Sequence, residues 1–269
     1  MCASRRPLSA AVRSDAVIHF YSLVLRTYRY GEADQIVVFL TEDRGKKRGV
    51  AKNATKSRRR FGGGLESLSR ARATYVEHEN RELVRLDRLE THLTPLRAAT
   101  GRTAENAAHV LGHAAYFAEL LDEWAPDNAA NERLFRLGAA VGEALCDGGA
   151  VDPLARYFEY WLLRLEGVYP ALDRCPRCGE AALGNGAVVV LAERTFVCRD
   201  CGHGGPSLSA AAIAFLREAC SKSPAVAASS GTSPAALTEL ERAHDRLIAM
   251  HLEKELRSAR VVRELRPAL

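Results

Sequence analysis

The hydrophobic pattern changes period partway along the chain. From about Ala16 to Leu93 it is two-fold: Val17, His19, Tyr21, Leu23 and Leu25 alternate with less apolar neighbours, and Ile36 to Leu40 forms a β-branched run. Gly31 and Gly45 mark turns, with Asp43-Arg44-Gly45-Lys46 suited to a hairpin connection. A third strand is expected from Lys47 to Ala54, then a loop from Thr55 to Gly64. Two further strands, Arg70 to Glu79 and Leu83 to Leu93, are joined through Glu79-Asn80-Arg81. Short antiparallel strands in this number predict a small barrel of the OB type, with an SH3-like barrel as the competitor that alternation does not separate.

After Thr94-Pro95, a cap followed by proline at the first helical position, the period becomes 3.6. Ala107, Val110, Leu111, Ala114, Phe117, Leu120 and Leu121 share one face of a helix ending near Trp124. Further helices are expected from Asn131 to Cys146, from Asp152-Pro153 to Gly167, a short one through Ile213 and Leu216, and a last one from Ser233-Pro234 through Leu256. The aromatic stripes at this spacing read as core. The predicted fold class is α+β and multidomain. A five-stranded OB-fold β-barrel over 16–93 precedes an α-helical domain over 94–269. That domain carries a four-cysteine zinc ribbon at 175–201 and a Ser/Ala-rich flexible linker at 221–232, and residues 1–15 read as a flexible basic arm.

Charge alters the picture only in its distribution. The net charge is +5, yet residues 1–90 hold 19 Lys/Arg against 11 Asp/Glu, so the basic excess lies wholly in the first third. Nine cations fall between Arg44 and Arg60 with no acid among them: Arg44, Lys46, Lys47, Arg48, Lys52, Lys56, Arg58, Arg59 and Arg60. Such a run repels itself unless a polyanion is near, and a phosphate backbone is the usual one. With Arg26, these are the candidate nucleic-acid-binding residues, and DNA-binding ones if the partner is DNA. Interleaved aromatics (Tyr21, Tyr28, Tyr30, Phe39, Phe61, Tyr75) fit a sequence-tolerant single-strand binder, one or two of them stacking on bases and the rest filling the barrel.

Cys175-Pro176-Arg177-Cys178-Gly179 is answered by Cys198-Arg199-Asp200-Cys201-Gly202. Four thiolates at this spacing close a tetrahedron round one structural Zn²⁺ and leave no position open for substrate. His203 is a spare ligand, and Cys146 and Cys220 read as buried and inert. No Gly-x-Ser-x-Gly elbow or P-loop occurs, which removes the usual hydrolase and ATPase signatures and leaves no catalytic residues to name. Glu32 and Asp34 flank one turn residue. They are either half of a metal-dependent nuclease site or turn residues balancing Arg26 and Arg29. No apolar stretch is long enough for a membrane span, and the cysteine usage fits a reducing cytoplasm.

In their order along the chain these residues resemble the RecO family of bacterial recombination mediators. The resemblance is carried by Val24-Leu25-Arg26, Tyr30-Gly31-Glu32-Ala33-Asp34, Leu40 to Lys46, Val50 to Ala54, Lys56-Ser57-Arg58, Tyr116 with Glu119-Leu120, and Glu159 through Pro170. It implies a non-enzymatic DNA repair protein of the cytoplasm that binds single- and double-stranded DNA and anneals complementary strands. It further implies work with RecR to load RecA onto DNA coated by single-strand-binding protein, whose acidic C-terminal tail docks on the helical domain. Arg242, Arg246 and Arg257 are candidates to hold that tail. Asn53 stands where the family usually has Gly, and Asn tolerates the left-handed conformation. An RNA- or ribosome-associated binding module is the alternative from another class, and the nuclease reading is a second.

Overall fold

The computed structural model describes residues 17–77, 82–179 and 182–265. Strands β1 (Val17–Tyr30), β2 (Asp34–Thr41), β3 (Gly45–Ala51), β4 (Arg70–Val76) and β5 (Val84–Leu93) close a barrel in the order β1-β2-β3-β5-β4. Neighbours are antiparallel except β3 and β5, which run parallel. This is the OB-like closure, in which every strand has two partners and no edge is left to aggregate. Strand β1 serves two neighbours. Its first half pairs with β4, its second with β2, and a bulge between Val24 and Arg26 turns it from one to the other.

Both faces of β1 carry apolar residues, and each has its own cover. Ile18 and Val24 point into the barrel with Val37, Phe39, Ala71, Tyr75 and Leu86. Leu23 and Leu25 face outward yet are buried, packing with Val38, Leu40 and Leu68 into the core of the helices. Barrel and helices therefore share a hydrophobic seam, worth about 1.5–3 kcal/mol for each large side chain fully buried. Val17 and Tyr21, on the same outward face but beyond the helices, are exposed.

The segment expected to be a loop from Thr55 to Gly64 contains a short helix, α1 (Arg58–Phe61), anchored by Phe61 in the barrel core. The connection expected through Glu79-Asn80-Arg81 and the arm 1–15 lie outside the described residues. The helix beginning at Pro95 is split in two, α2 (Pro95–Ala99) and α3 (Ala104–Trp124), because Gly101 takes φ +83° and Thr103 starts a new N-cap. Helices α4 (Glu132–Cys146) and α5 (Val151–Leu165) follow and pack on α3.

Strands β6 (Gly186–Val190), β7 (Thr195–Cys198) and β8 (Ser207–Ser209) form a small sheet in the order β7-β6-β8. Helix α6 (Ala210–Ser221) is capped by Ser209. Residues 221–232, read from composition as a flexible linker, instead carry a helix, α7 (Pro224–Ala228). Its Pro224, Ala227 and Ala228 are buried against α4 and α5, since small side chains allow close approach there. Helix α8 (Pro234–Leu252) stops short of Leu256 because Glu253 turns left-handed at φ +54°, and α9 (Arg257–Glu264) then packs on α3. No helix among the described residues is long and apolar enough to cross a membrane.

Candidate nucleic-acid interface and metal centre

The basic run has no acid in its own sequence, but the fold supplies acids from elsewhere. Lys46, at the start of β3, lies under the end of α3 with its side chain only 9% exposed. Its ammonium donates to the Asp122 carbonyl at 2.5 Å and lies 3.3 Å from Asp122 Oδ1 and 3.6 Å from Asp127 Oδ1. The backbone reinforces this contact: Lys46 N–H donates to the Pro126 carbonyl, and Asn128 N–H to the Lys46 carbonyl. Gly45 (φ +70°) is required here, because a Cβ would lie 2.1 Å from the Ala129 carbonyl oxygen. Arg26 reaches Asp122 Oδ2 at 3.1 Å, and Arg48 reaches Asp127 at 3.5 Å. Lys47 pairs with Glu77 at 2.7 Å, and Arg44 lies 3.6 Å from the same carboxylate and 5.3 Å from the Phe20 ring.

Half of the candidate set is thus paired with acids: Arg26, Lys46 and Arg48 with Asp122 and Asp127 beyond the barrel, and Arg44 and Lys47 with Glu77 just after β4. Lys46 is enclosed and cannot reach a phosphate; Arg26, Arg44 and Arg48 are partly exposed and share their charge with acids. The other half has different surroundings. Lys52, Lys56, Arg58 and Arg59 are exposed and make no ion pair among the described residues. Arg60 is tied down, donating to the Lys52 carbonyl and to Ser57 Oγ, with its guanidinium 5.0 Å from the Phe61 ring.

Two exposed tyrosines lie at the end of β1. Strand register aligns Arg26, Val38 and Arg48 in one cross-strand row and Tyr28, Ile36 and Val50 in the next row of the same face. Tyr28 and Tyr30 are 43% and 52% exposed, beyond the area the helices cover. The β1–β2 turn that follows Tyr30 anchors the Lys52–Lys56 segment: Asn53 N–H donates to Asp34 Oδ1 at 2.7 Å, and Thr55 N–H to the Ala33 carbonyl. Asn53 has φ +54°, the left-handed conformation expected of it. Of the six aromatics singled out, Phe39, Phe61 and Tyr75 fill the barrel, while Tyr21, Tyr28 and Tyr30 remain outside.

Asp34 is thereby accounted for as a residue that fixes a turn. The described residues contain two clusters of three or more metal-ligating side chains, and neither includes Glu32 or Asp34, so the nuclease reading has no third ligand. A second basic face escaped the sequence reading because its residues are spread over separate strands. Arg70 lies 5.4 Å from the Tyr21 ring and His92 5.8 Å, while Arg60, Arg72, Arg88 and His19 line an adjoining cleft together with Asp87 and Glu90, the latter paired with Arg88 at 3.3 Å. Only the cross-strand pairing brings them together.

The four cysteines do converge. Cys175, Cys178, Cys198 and Cys201 place their sulfurs within 4.8 Å of one another, with Cys178 and Cys198 at 3.8 Å. Four thiolates and no open side fit a structural metal ion of the zinc type. Backbone hydrogen bonds, first that of Cys198, pull the Cys175 thiol down to about 6. The two glycines act differently: Gly179 takes φ +74°, whereas Gly202 is needed because a Cβ would collide with Val197 and Val188. Arg177 straps the knuckles together, donating to the Cys201 carbonyl and to Glu193, both at 2.6 Å. His203 is exposed and outside the cluster. Cys146 is half-buried, its thiol raised to about 11 by burial. Cys220 is not buried as expected: it is exposed at the end of α6 and accepts a hydrogen bond from Arg164.

Helix α5 carries a buried polar network. Glu159, fully buried, accepts from Tyr116 Oη (2.9 Å), Arg156 Nη2 (2.7 Å) and His244 Nδ1 (2.9 Å), and His244 Nε2 lies 3.0 Å from Tyr169 Oη. Burial alone would raise the Glu159 carboxyl, but Arg156, His244 and Tyr116 outweigh it and hold the group below the usual carboxylate range. Between α8 and α9, a groove is lined by Arg242, Arg246, Lys254 and Arg263, by the acids Asp245 and Glu255, and by Ile248 and Leu256. Arg257 lies outside it, its backbone N–H bonded to Glu119.

Comparison with known proteins agrees with this arrangement. The family profile "Recombination protein O N terminal" matches residues 16–94, and "Recombination protein O C terminal" matches 106–260. A DNA repair protein RecO of Anaeromyxobacter sp. (strain K) is 37% identical over 92% of this chain and 96% of its own length. That of Geobacter sulfurreducens is 34% identical over 91% and 97%. That of Koribacter versatilis is 43% identical over 59% of this chain and 62% of its own length. With both halves matched and full-length relatives above 30% identity, the chain belongs to the RecO family of DNA repair proteins.

Proposed function

We propose that this protein is a non-enzymatic recombination mediator that binds single- and double-stranded DNA and anneals complementary strands. The reading is carried by the exposure of Lys52, Lys56, Arg58 and Arg59, which make no ion pair among the described residues, together with the exposure of Tyr28 and Tyr30 on the strand that enters the β1–β2 turn, to which the Lys52–Lys56 segment is hydrogen-bonded. Cations there neutralise phosphates of two strands and lower their mutual repulsion, while tyrosine faces hold bases unstacked for pairing, at about 1–3 kcal/mol per base. Lys46 is assigned to the barrel–helix joint, and Arg26 and Arg48 to the rim between joint and interface. The four-cysteine site takes one Zn²⁺, whose chemistry there is structural: Val188, Val189, Phe196 and Val197 of the ribbon belong to the helical core, so the metal steadies that core.

RecR is a partner on this reading, and RecA acts downstream on DNA cleared of single-strand-binding protein in the bacterial cytoplasm. The acidic, apolar C-terminal tail of that protein fits the groove between α8 and α9 better than any site involving Arg257, because Arg242 and Arg246 there stand beside Ile248 and Leu256. Annealing of complementary oligonucleotides precoated with single-strand-binding protein tests the proposal. Wild type anneals without ATP and loses activity steeply as salt rises, and an Arg58→Glu/Arg59→Glu variant anneals poorly at every salt. Equal annealing by both proteins would overturn it.

A further inference from the structure

We propose that His109, His113 and Asp152 form a second metal site, distinct from the cysteine cluster, which takes a borderline divalent ion such as Zn²⁺ between α3 and the start of α5. The two histidines are one helical turn apart on α3, the i, i+4 spacing at which a helix chelates zinc. Asp152, in the first turn of α5, brings its carboxylate to 3.5 Å from His109 Nε2. One ligand atom from each of the three lies within 4.8 Å of the others.

The state of His113 decides between a metal site and a simple ion pair. Its Nδ1 lies 3.0 Å from the His109 carbonyl oxygen, which can only accept, so the ring proton is on Nδ1. That leaves the lone pair on Nε2, and Nε2 is fully buried with no hydrogen-bond partner among the described residues. A His109–Asp152 pair alone gives this nitrogen nothing to do. An ion gives it a bond, and Nδ1–H donated to a carbonyl is the outer contact that metal-bound imidazoles make. Zinc bonds of about 2.0–2.2 Å draw the three atoms slightly closer, within reach of the partly exposed Asp152 side chain.

Two imidazoles and one carboxylate leave coordination positions open, unlike the closed cysteine set. His109 and Asp152 also line a cavity of about 470 Å³, with Arg156 and Leu237, whereas His113 is fully buried and does not line it. Arg156 lines the same cavity, and its charge is already answered by Glu159 at 2.7 Å and Glu241 at 3.6 Å. Bound there, the ion joins α3, which carries Tyr116, to α5, which carries Glu159.

The test is calorimetric titration of ZnCl₂ into protein whose cysteine site is already filled. Wild type binds one further equivalent, and its thermal midpoint rises on binding. Asp152→Asn and His109→Ala, both at partly exposed positions, weaken that equivalent at least tenfold while keeping the first metal and the far-ultraviolet dichroism of the fold. His113→Gln abolishes it. Absence of a further equivalent in wild type overturns the proposal, as does undiminished binding by Asp152→Asn and His109→Ala.

Discussion

Replacing Lys46 by Met keeps the aliphatic stem and removes the charge, so it separates the joint from the DNA interface. The ammonium is enclosed against Asp122 and Asp127, and its removal breaks one carbonyl hydrogen bond and two ion pairs. Breaking a buried pair costs about 3–5 kcal/mol in general. Here Asp122 keeps Arg26 at 3.1 Å, and the Asp127 side chain is 54% exposed and rehydrates, so about 2 kcal/mol is the appropriate figure. At this chain length that lowers the thermal midpoint by about 4–8 °C. The assay pairs calorimetry with single-stranded DNA affinity measured across a salt series. Each phosphate contact contributes about −0.7 to the slope of log K against log salt for single strands. Lys46→Met leaves that slope unchanged and lowers the midpoint. A slope shallower by about 0.7 with an unchanged midpoint would show that Lys46 touches phosphate and refute the assignment.

Other consequences follow from the same geometry. Tyr28→Ala and Tyr30→Ala each weaken single-stranded DNA binding by about 1–3 kcal/mol with little change in salt slope, because they stack rather than neutralise; fluorescence anisotropy reads both quantities. Cys175→Ser with Cys198→Ser loses the bound zinc and lowers the thermal midpoint first, with DNA affinity falling only as the fold loosens; a variant that keeps its metal and midpoint contradicts the structural role. Acid destabilises the buried network. Burial lowers the pKa of His244, Glu159 offsetting part of the shift, and that of Glu159 is also lowered. Both contributions to stability are therefore present above the unfolded-state values and are lost as pH falls, beginning below about 6.5 for the histidine. The thermal midpoint falls as pH drops below about 6.5, less steeply in His244→Asn, and a rise on acidification would contradict the assignment.

The barrel was legible because strands of period two, punctuated by Gly31 and Gly45, leave few architectures, and the cysteine cluster because its spacing defines its chemistry. The meaning of the basic run was not. Asp122 lies 76 residues beyond Lys46, so no local pattern announces that the charge is answered. The same holds for Arg70 and His92, which meet Tyr21 only through barrel closure. Composition misled at 221–232, where alanines that look like linker instead allow α7 to pack closely. The signature residues Tyr116, Glu159 and Tyr169 were visible as a family likeness, but only the fold joins them, with Arg156 and His244, into one hydrogen-bonded network.

The central claim is that the cations of the basic run without an acidic partner among the described residues, not those paired with acids, carry the DNA. The direct measurement is the salt slope of single-stranded DNA affinity for wild type and for Lys52→Ala/Lys56→Ala/Arg58→Ala/Arg59→Ala. Loss of four phosphate contacts predicts a slope shallower by about 2.8, with the thermal midpoint retained. A slope equal to that of wild type would contradict the claim.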